Sequence, residues 1–140
     1  MAQVFAGFVA GYGLALLTTP VLAYLMFRVR SGSEVLMRIF PSDAPMVAVA
    51  MLIHGALTFA LTALGLVLGL VLLAMEDADG AIGSQNWPFT LFVAAMTLAA
   101  VAPIFALLRP FRRAIAGYSV MFVAVFGWLM PYLADWSKFD

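Results

Sequence analysis

The chain has 140 residues, of which 66% are hydrophobic and 10% are charged, and its formal net charge is zero. Typical soluble domains carry about 25% charged residues, and a chain this small could not bury so much apolar surface in water, which excludes a soluble globular fold. The zero net charge excludes a nucleic-acid binder with a basic surface, and the absence of cysteine excludes disulfides and iron–sulfur clusters.

Four stretches of the chain contain no Asp, Glu, Lys or Arg: residues 4–27, 44–75, 87–108 and 114–134. Each is long enough to cross the membrane, because a helix needs roughly 20 residues to span about 30 Å of hydrocarbon. The sequence therefore predicts an all-α fold, a four-helix bundle that forms one transmembrane domain over residues 1–140. The second stretch is longer than one crossing requires, so we expect it to tilt or to project beyond the bilayer.

The first span precedes every basic residue of the chain, since the first Arg or Lys is Arg28. A cleavable signal peptide begins with a basic region, so we expect the first span to remain in the mature protein. Pro20 in this span and Pro103 in the third span are expected to kink their helices, because proline lacks the amide hydrogen that a helix interior uses.

Between the first two spans, residues 33–40 predict a short helix that lies along the cytoplasmic membrane surface. Pro41 would end this helix. Its apolar residues share one face, as in helices that rest in the interface: Val35, Leu36, Ile39 and Phe40.

Capping residues precede the second and third spans. Ser42 or Asp43 can cap the second helix, with Pro45 in its first turn. Asn86 can cap the third helix, and Pro88 is placed in the same way. These residues predict where the two helices begin.

The charges of the connecting segments predict the orientation of the chain. Acidic residues lie between the second and third spans, at Glu76, Asp77 and Asp79, whereas the other two links are basic. Because Arg in short loops resists translocation, we expect the basic links in the cytoplasm and both termini on the non-cytoplasmic side of a plasma (inner) membrane. The arginines of these links are also candidate ligands for anionic membrane lipids: Arg28, Arg30, Arg109, Arg112 and Arg113.

His54 is the only histidine of the chain and lies within the second span. In one interpretation, its neutral imidazole is an axial ligand to haem iron or to (bacterio)chlorophyll magnesium, and the small neighbours Gly55 and Ala56 leave room for the macrocycle. In the other interpretation, it forms a hydrogen bond with a threonine, a tyrosine or a carbonyl group on an adjacent helix. A haem with two histidine ligands from this chain is excluded.

Small and weakly polar residues follow His54 at steps of three or four residues. This spacing places them on one face of the helix, and such residues let helix backbones approach closely in lipid. We therefore predict a helix-packing seam that consists of Thr58, Thr62, Gly65 and Gly69. In the first span, Gly7 and Gly11 have the same four-residue spacing.

The spans lack the residues on which most membrane catalysis and transport depend. None contains Asp, Glu, Lys or Arg, which coupled transporters and channels place at membrane depth, and His54 has no carboxylate in its span to form a catalytic pair. We therefore expect a non-catalytic subunit of a larger membrane complex, which packs against other integral membrane subunits and holds lipid or pigment. The alternatives are an independent oligomeric channel or transporter, and a single-histidine haem or chlorophyll holder in an electron-transfer or light-harvesting assembly.

Overall fold

In the computed structural model, every regular element of the described part of the chain is helical. The structure describes residues 1–30, 32, 34–39, 45–79, 86–107 and 112–136. The helices are α1 (Ala2–Arg30), α2 (Glu34–Ile39), α3 (Met46–Asp79), α4 (Trp87–Leu107), α5 (Arg112–Phe122) and α6 (Met130–Trp136), and a π-helical segment, Val123–Leu129, joins the last two. We call the continuous run from α5 to α6 the fourth span.

Four helices of the described chain are long and apolar enough to cross a membrane: Ala2–Arg28, Met46–Met75, Trp87–Ala106 and Arg112–Trp136. The predicted all-α fold with four spans is confirmed, and the chain is a multi-pass membrane protein. With 34 residues, α3 is longer than one crossing requires.

The start of α4 follows the predicted capping pattern. The amide of Phe89 donates a hydrogen bond of 3.0 Å to the Oδ1 atom of Asn86, which satisfies one of the free amides of the first turn. The candidate caps of α3, Ser42 and Asp43, lie outside the described residues. In the first link, α2 occupies most of the predicted short-helix stretch, and the side chains of its predicted apolar face are not among those described.

Four antiparallel crossings give the bundle two different ends. The C-terminal ends of α1 and α4 lie at one end, which we call the arginine end, and the start of α1 and the end of α6 lie at the other, which we call the termini end. Helices α1 and α3 pack together, the fourth span packs on α1, and α4 packs mainly on the fourth span. The fourth span is therefore the element that joins α4 to the α1–α3 pair.

All four spans share one core in the half of the bundle near the termini end. Its largest fully buried side chains come from every span: Leu14, Leu68, Leu72, Phe89, Val93, Phe126 and Met130. The ring of Phe126 contacts α3 at Gly65, where an added Cβ atom would lie 3.2 Å from it. The α1–α3 pair and the α4 hairpin are therefore held together in this half.

The half near the arginine end is packed differently. There, Ala23, Val49 and Ile53 form a small separate core between α1 and α3. None of residues 98–106 of α4 and 112–121 of α5 is buried. The two helix pairs therefore separate toward the arginine end, and we call the space between them the interhelical gap.

Candidate functional site

The predicted seam on α3 is occupied in part by α1 of the same chain. A Cβ atom added to Gly65 would overlap the backbone carbonyl group of Gly7, and one added to Gly69 would lie 2.6 Å from the carbonyl oxygen of Gln3. A Cβ atom on Gly11 would likewise overlap the backbone of α3. The glycines of both helices thus permit direct backbone contact, which is a main source of helix association in lipid.

The two threonines of the predicted seam differ in their hydrogen bonding. The Thr62 hydroxyl donates to the carbonyl oxygen of Thr58, one turn earlier in α3. The Thr58 hydroxyl is buried and has no hydrogen-bond partner within the described part of the chain. Buried hydroxyl groups normally have a partner, so the unsatisfied Thr58 hydroxyl is an exception to this rule.

His54 contacts α1 through one nitrogen of its ring. Its Nδ1 atom lies 3.0 Å from the hydroxyl oxygen of Thr19, and the same hydroxyl lies 2.7 Å from the carbonyl oxygen of Ala15. A carbonyl can only accept, and a hydroxyl has one hydrogen, so Thr19 donates to Ala15 and accepts from His54. The proton of the neutral ring is therefore on Nδ1, and Nε2 is a hydrogen-bond acceptor or a metal ligand.

This contact is the one that the structural interpretation of His54 predicts, namely a threonine on an adjacent helix. It is also compatible with the cofactor interpretation, because histidine ligands commonly donate their other N–H group to a protein acceptor. The two interpretations differ in the partner that they assign to Nε2, which is a metal ion in the cofactor interpretation and a hydrogen-bond donor in the structural one.

The position of His54 along α3 places it beside the interhelical gap. It precedes Gly65 by eleven residues, about three helical turns, so the two residues lie on the same side of α3. At Gly65 this side meets Phe126 of the fourth span, whereas at His54 the fourth span has no buried residue left to cover it. The side chain of His54 is accordingly half-buried.

Arg112 makes two contacts with Phe105 of α4. Its Nε atom donates a hydrogen bond of 3.1 Å to the carbonyl oxygen of Phe105, and its guanidinium group lies 5.2 Å from the centre of the Phe105 ring. Arg112 therefore reaches from α5 to α4. Among the other lipid candidates, Arg28 and Arg113 are exposed, and Arg109 and the side chain of Arg30 lie outside what the structure describes.

The π-helical segment is explained by Pro131. In an α-helix, residue 131 would donate its amide hydrogen to the carbonyl of Gly127, but proline has no such hydrogen. The amide of Met130 instead donates to the carbonyl of Val125, five residues earlier. The carbonyl oxygen of Gly127 accepts a hydrogen bond of 2.6 Å from the hydroxyl of Thr90 on α4. Thr90 thus supplies the donor that Pro131 lacks.

An apolar groove of about 460 Å³ lies between α4 and the fourth span. Its lining includes Ala94, Leu98, Val101, Val120, Ala124 and Trp128. The hydroxyls of Thr97 and Ser119, which also line it, donate to carbonyl groups one turn earlier in their own helices, at 2.7 Å and 2.8 Å. Because those hydrogens are used, the groove offers an apolar surface to a ligand.

The predicted kinks at Pro20 and Pro103, which lie inside α1 and α4, stay predictions. The sequence analysis missed Pro131, just before which the fourth span changes its helix type. The signal was present in the sequence, because a proline inside a span frees the carbonyl four residues earlier. The partner of that carbonyl, Thr90, could not be found without knowing how α4 is aligned with the fourth span.

Within the described residues, no group of three or more His, Cys, Asp or Glu side chains is arranged to hold a metal ion. Comparison of the chain with protein-family models, with curated proteins and with solved structures gives no match.

Proposed function

We propose that this chain is a non-catalytic subunit of a larger membrane complex, and that a helix of another integral membrane subunit occupies the interhelical gap. The observation that supports this role is the incomplete core, which all four spans share only near the termini end. Near the arginine end, neither α4 nor α5 contributes a buried residue within the described ranges. Something other than this chain must fill that space, because protein interiors are packed as densely as organic crystals.

A polar atom beside the gap favours a protein helix over lipid acyl chains. The side chain of His54 is half-buried, and its Nε2 atom can accept a hydrogen bond. Polar atoms at membrane depth need partners, and acyl chains offer none. Side chains of a neighbouring helix do offer them, so we expect the partner to carry a hydrogen-bond donor at the level of His54.

Two isoleucines extend the core faces of α4 and α5 into the gap. Ile104 follows the buried Val93 by eleven residues, and Ile115 precedes the buried Phe122 by seven, which are about three and two helical turns. Each isoleucine therefore lies on the core-facing side of its helix at a depth where the core has ended. These residues are the expected contacts of the partner helix on the α4–α5 pair.

The orientation is part of the same proposal. The basic links at the arginine end favour a cytoplasmic location for this end, and the acidic link favours translocation of the opposite end. Both termini would then lie on the non-cytoplasmic side of a plasma (inner) membrane, with the interhelical gap in the cytoplasmic half of the bilayer.

Photo-crosslinking from the gap tests the subunit role. With a photoreactive residue at Ile104 or Ile115, we expect both positions to form an adduct with the same integral membrane chain. Phe59 is the control position, because it lies on the outer side of α3 and is 78% exposed; there we expect adducts with lipid.

The identified chain is then co-expressed with the Ile115→Trp variant, whose larger side chain fills the gap. We expect this variant to lose the partner while it keeps the thermal stability of the isolated wild-type chain. A stable assembly of this chain with itself, which crosslinks only to its own copies and passes solute in liposomes, would instead establish the oligomeric channel or transporter.

His54 supports a second candidate function, the binding of one haem or chlorophyll. The hydrogen bond to Thr19 leaves Nε2 as the ligand atom, and a Cβ atom on Gly55 would meet nothing within 4 Å, so the surface of α3 at the next residue is open.

We expect a cofactor-binding protein, purified gently from its native membrane, to show visible absorbance that disappears in His54→Ala. Thr19→Val keeps the ligand but removes its orienting partner, so it should weaken cofactor binding by about 10–100-fold. If the wild-type protein is colourless and His54→Ala only lowers its stability, the histidine binds no cofactor and its role is the hydrogen bond to Thr19.

A further inference from the structure

We propose that the groove between α4 and the fourth span holds one acyl chain of an anionic phospholipid, whose phosphate group binds Arg112 and Arg113. This lipid site uses the outer side of the α4–α5 pair and does not rest on the subunit role, which concerns the interhelical gap. The proposed site binds one lipid molecule at a defined position, which differs from the general contact that every span makes with bilayer lipids.

Arg112 is prepared to bind an anionic head group. Its Nε atom is held by the carbonyl of Phe105 and its guanidinium group lies over the Phe105 ring, which fixes the plane of the guanidinium. The side chain is exposed, so its two terminal nitrogens can donate in the paired geometry that arginine uses for phosphate oxygens. The exposed Arg113 adds a second positive charge beside it.

The apolar groove is aligned with this cationic site on both helices. On α4, Phe105 follows the groove residue Val101 by four residues, and on α5, Arg112 precedes the groove residue Ser119 by seven. These spacings are about one and two helical turns, so each pair lies on one side of its helix. An acyl chain that leaves a head group at Arg112 therefore runs toward the groove.

The distances agree with the dimensions of one leaflet. The seven residues from Arg112 to Ser119 rise about 10 Å along α5, whereas half of the hydrocarbon core is about 15 Å thick. The acyl chain thus enters the groove before it reaches the middle of the bilayer. The opposite end of the groove lies toward the end of the bundle where α3 ends, and the last turn of α3 contains Glu76, Asp77 and Asp79, whose negative charges would repel an anionic head group.

The lining of the groove matches an acyl chain rather than a polar ligand. The hydroxyls of Thr90, Thr97 and Ser119 donate to backbone carbonyls of this chain. The remaining lining is aliphatic or aromatic, and Trp128 lies toward the far end from Arg112. A volume of about 460 Å³ falls within the range of about 300–1,000 Å³ that is usual for ligand sites in proteins.

Quenching of a single tryptophan in the groove by brominated lipids tests this site. The substitutions Trp87→Phe, Trp128→Phe and Trp136→Phe remove the native tryptophans, whose side chains are all mostly exposed. Val120→Trp then places one tryptophan in the groove lining, about 12 Å from Arg112 along the fourth span, which is within the thickness of one leaflet. The protein is reconstituted in phosphatidylcholine vesicles that contain either phosphatidylglycerol or phosphatidylcholine with bromine on the acyl chain. We expect the anionic lipid to quench with an apparent preference of about five-fold or more, which corresponds to about 1 kcal/mol or more of additional binding free energy.

Two pairs of variants separate the head-group site from the acyl-chain site. The double variant Arg112→Gln, Arg113→Gln should abolish the preference for the anionic lipid, and Arg38→Gln, which removes an exposed arginine of α2, should leave it unchanged. Ala94→Phe fills the groove and should also lower the preference, whereas Ala63→Phe on the exposed side of α3 should not.

Several outcomes would overturn the proposal. Equal quenching by both lipids would show that the tryptophan at position 120 contacts bulk bilayer alone. A preference that survives the loss of both arginines, or that is unchanged by Ala94→Phe, would show that the head group or the acyl chain binds elsewhere. A tryptophan at position 120 that neither lipid quenches would show that a protein surface covers the groove.

Discussion

We expect Gly65→Ala to destabilise the bundle by about 1–3 kcal/mol, which is the usual cost of inserting atoms into a packed site. The added Cβ atom would overlap the backbone carbonyl group of Gly7 and lie 3.2 Å from the ring of Phe126. Because the first of these obstacles is backbone, α1 must move away from α3 and lose the contacts around it. Gly65→Leu should have the larger effect, because its whole side chain must be accommodated between two helices.

The matched control is Gly55→Ala, in the same helix. A Cβ atom there meets nothing within 4 Å, and alanine favours a helix over glycine by roughly 1 kcal/mol. The two substitutions should therefore have opposite signs when the free energy of unfolding is measured in bicelles. Gly7→Ala should reproduce the loss seen with Gly65→Ala, and equal stabilities of the Gly65→Ala and Gly55→Ala variants would contradict the observed α1–α3 contact.

We expect Thr90→Val to destabilise the bundle by about 1–2 kcal/mol, within the range for a hydrogen bond whose loss leaves a buried acceptor unpaired. The valine keeps the shape of the side chain but cannot donate to the carbonyl oxygen of Gly127, which Thr90 contacts at 2.6 Å. In the wild-type chain no amide at residue 131 can replace that donor, because the residue is proline.

A double-mutant cycle with Pro131→Ala distinguishes this mechanism from a general packing loss. Alanine restores the amide that an α-helix would use for Gly127, so Thr90→Val should cost little in the Pro131→Ala background. Thr97→Val serves as the control, because the Thr97 hydroxyl bonds to its own helix at the carbonyl of Val93. If the effects of Thr90→Val and Pro131→Ala simply add, Thr90 does not compensate for the missing amide.

The fold class could be predicted because its cause is local to each segment of the chain. A run without charged residues that exceeds about 20 residues has few alternatives to a membrane helix. The start of α4 was predictable for the same reason, since Asn86 caps it through a contact three residues away.

The partners of the predicted site residues could not be found from the sequence. The spacing of Gly65 and Gly69 showed that they share a face of α3, but it carried no information about which helix covers that face. Gly7 and Gly11 have matching spacing in α1, and the alignment of the two helices pairs them. His54 and Thr19 are likewise 35 residues apart, so their contact depends on the same alignment.

The groove was even harder to predict from the sequence than the helix contacts. Its lining comes from two helices, and residues such as Ala94 and Ala124 are typical of any membrane span. The groove exists because two small side chains happen to face the same space next to Trp128. Such a coincidence is a property of the tertiary structure, and periodicity along one helix cannot reveal it.

The glycine contact between α1 and α3 has a consequence for the biogenesis of the protein. It involves only residues of α1 and α3, which are synthesised before α4 and the fourth span. Because translation proceeds from the N-terminus and helices can pair once their neighbours are present, the α1–α3 pair can form before the fourth span is complete. The second hairpin then docks through Phe126 onto a finished surface, so the most closely packed part of the bundle serves as the template for the rest.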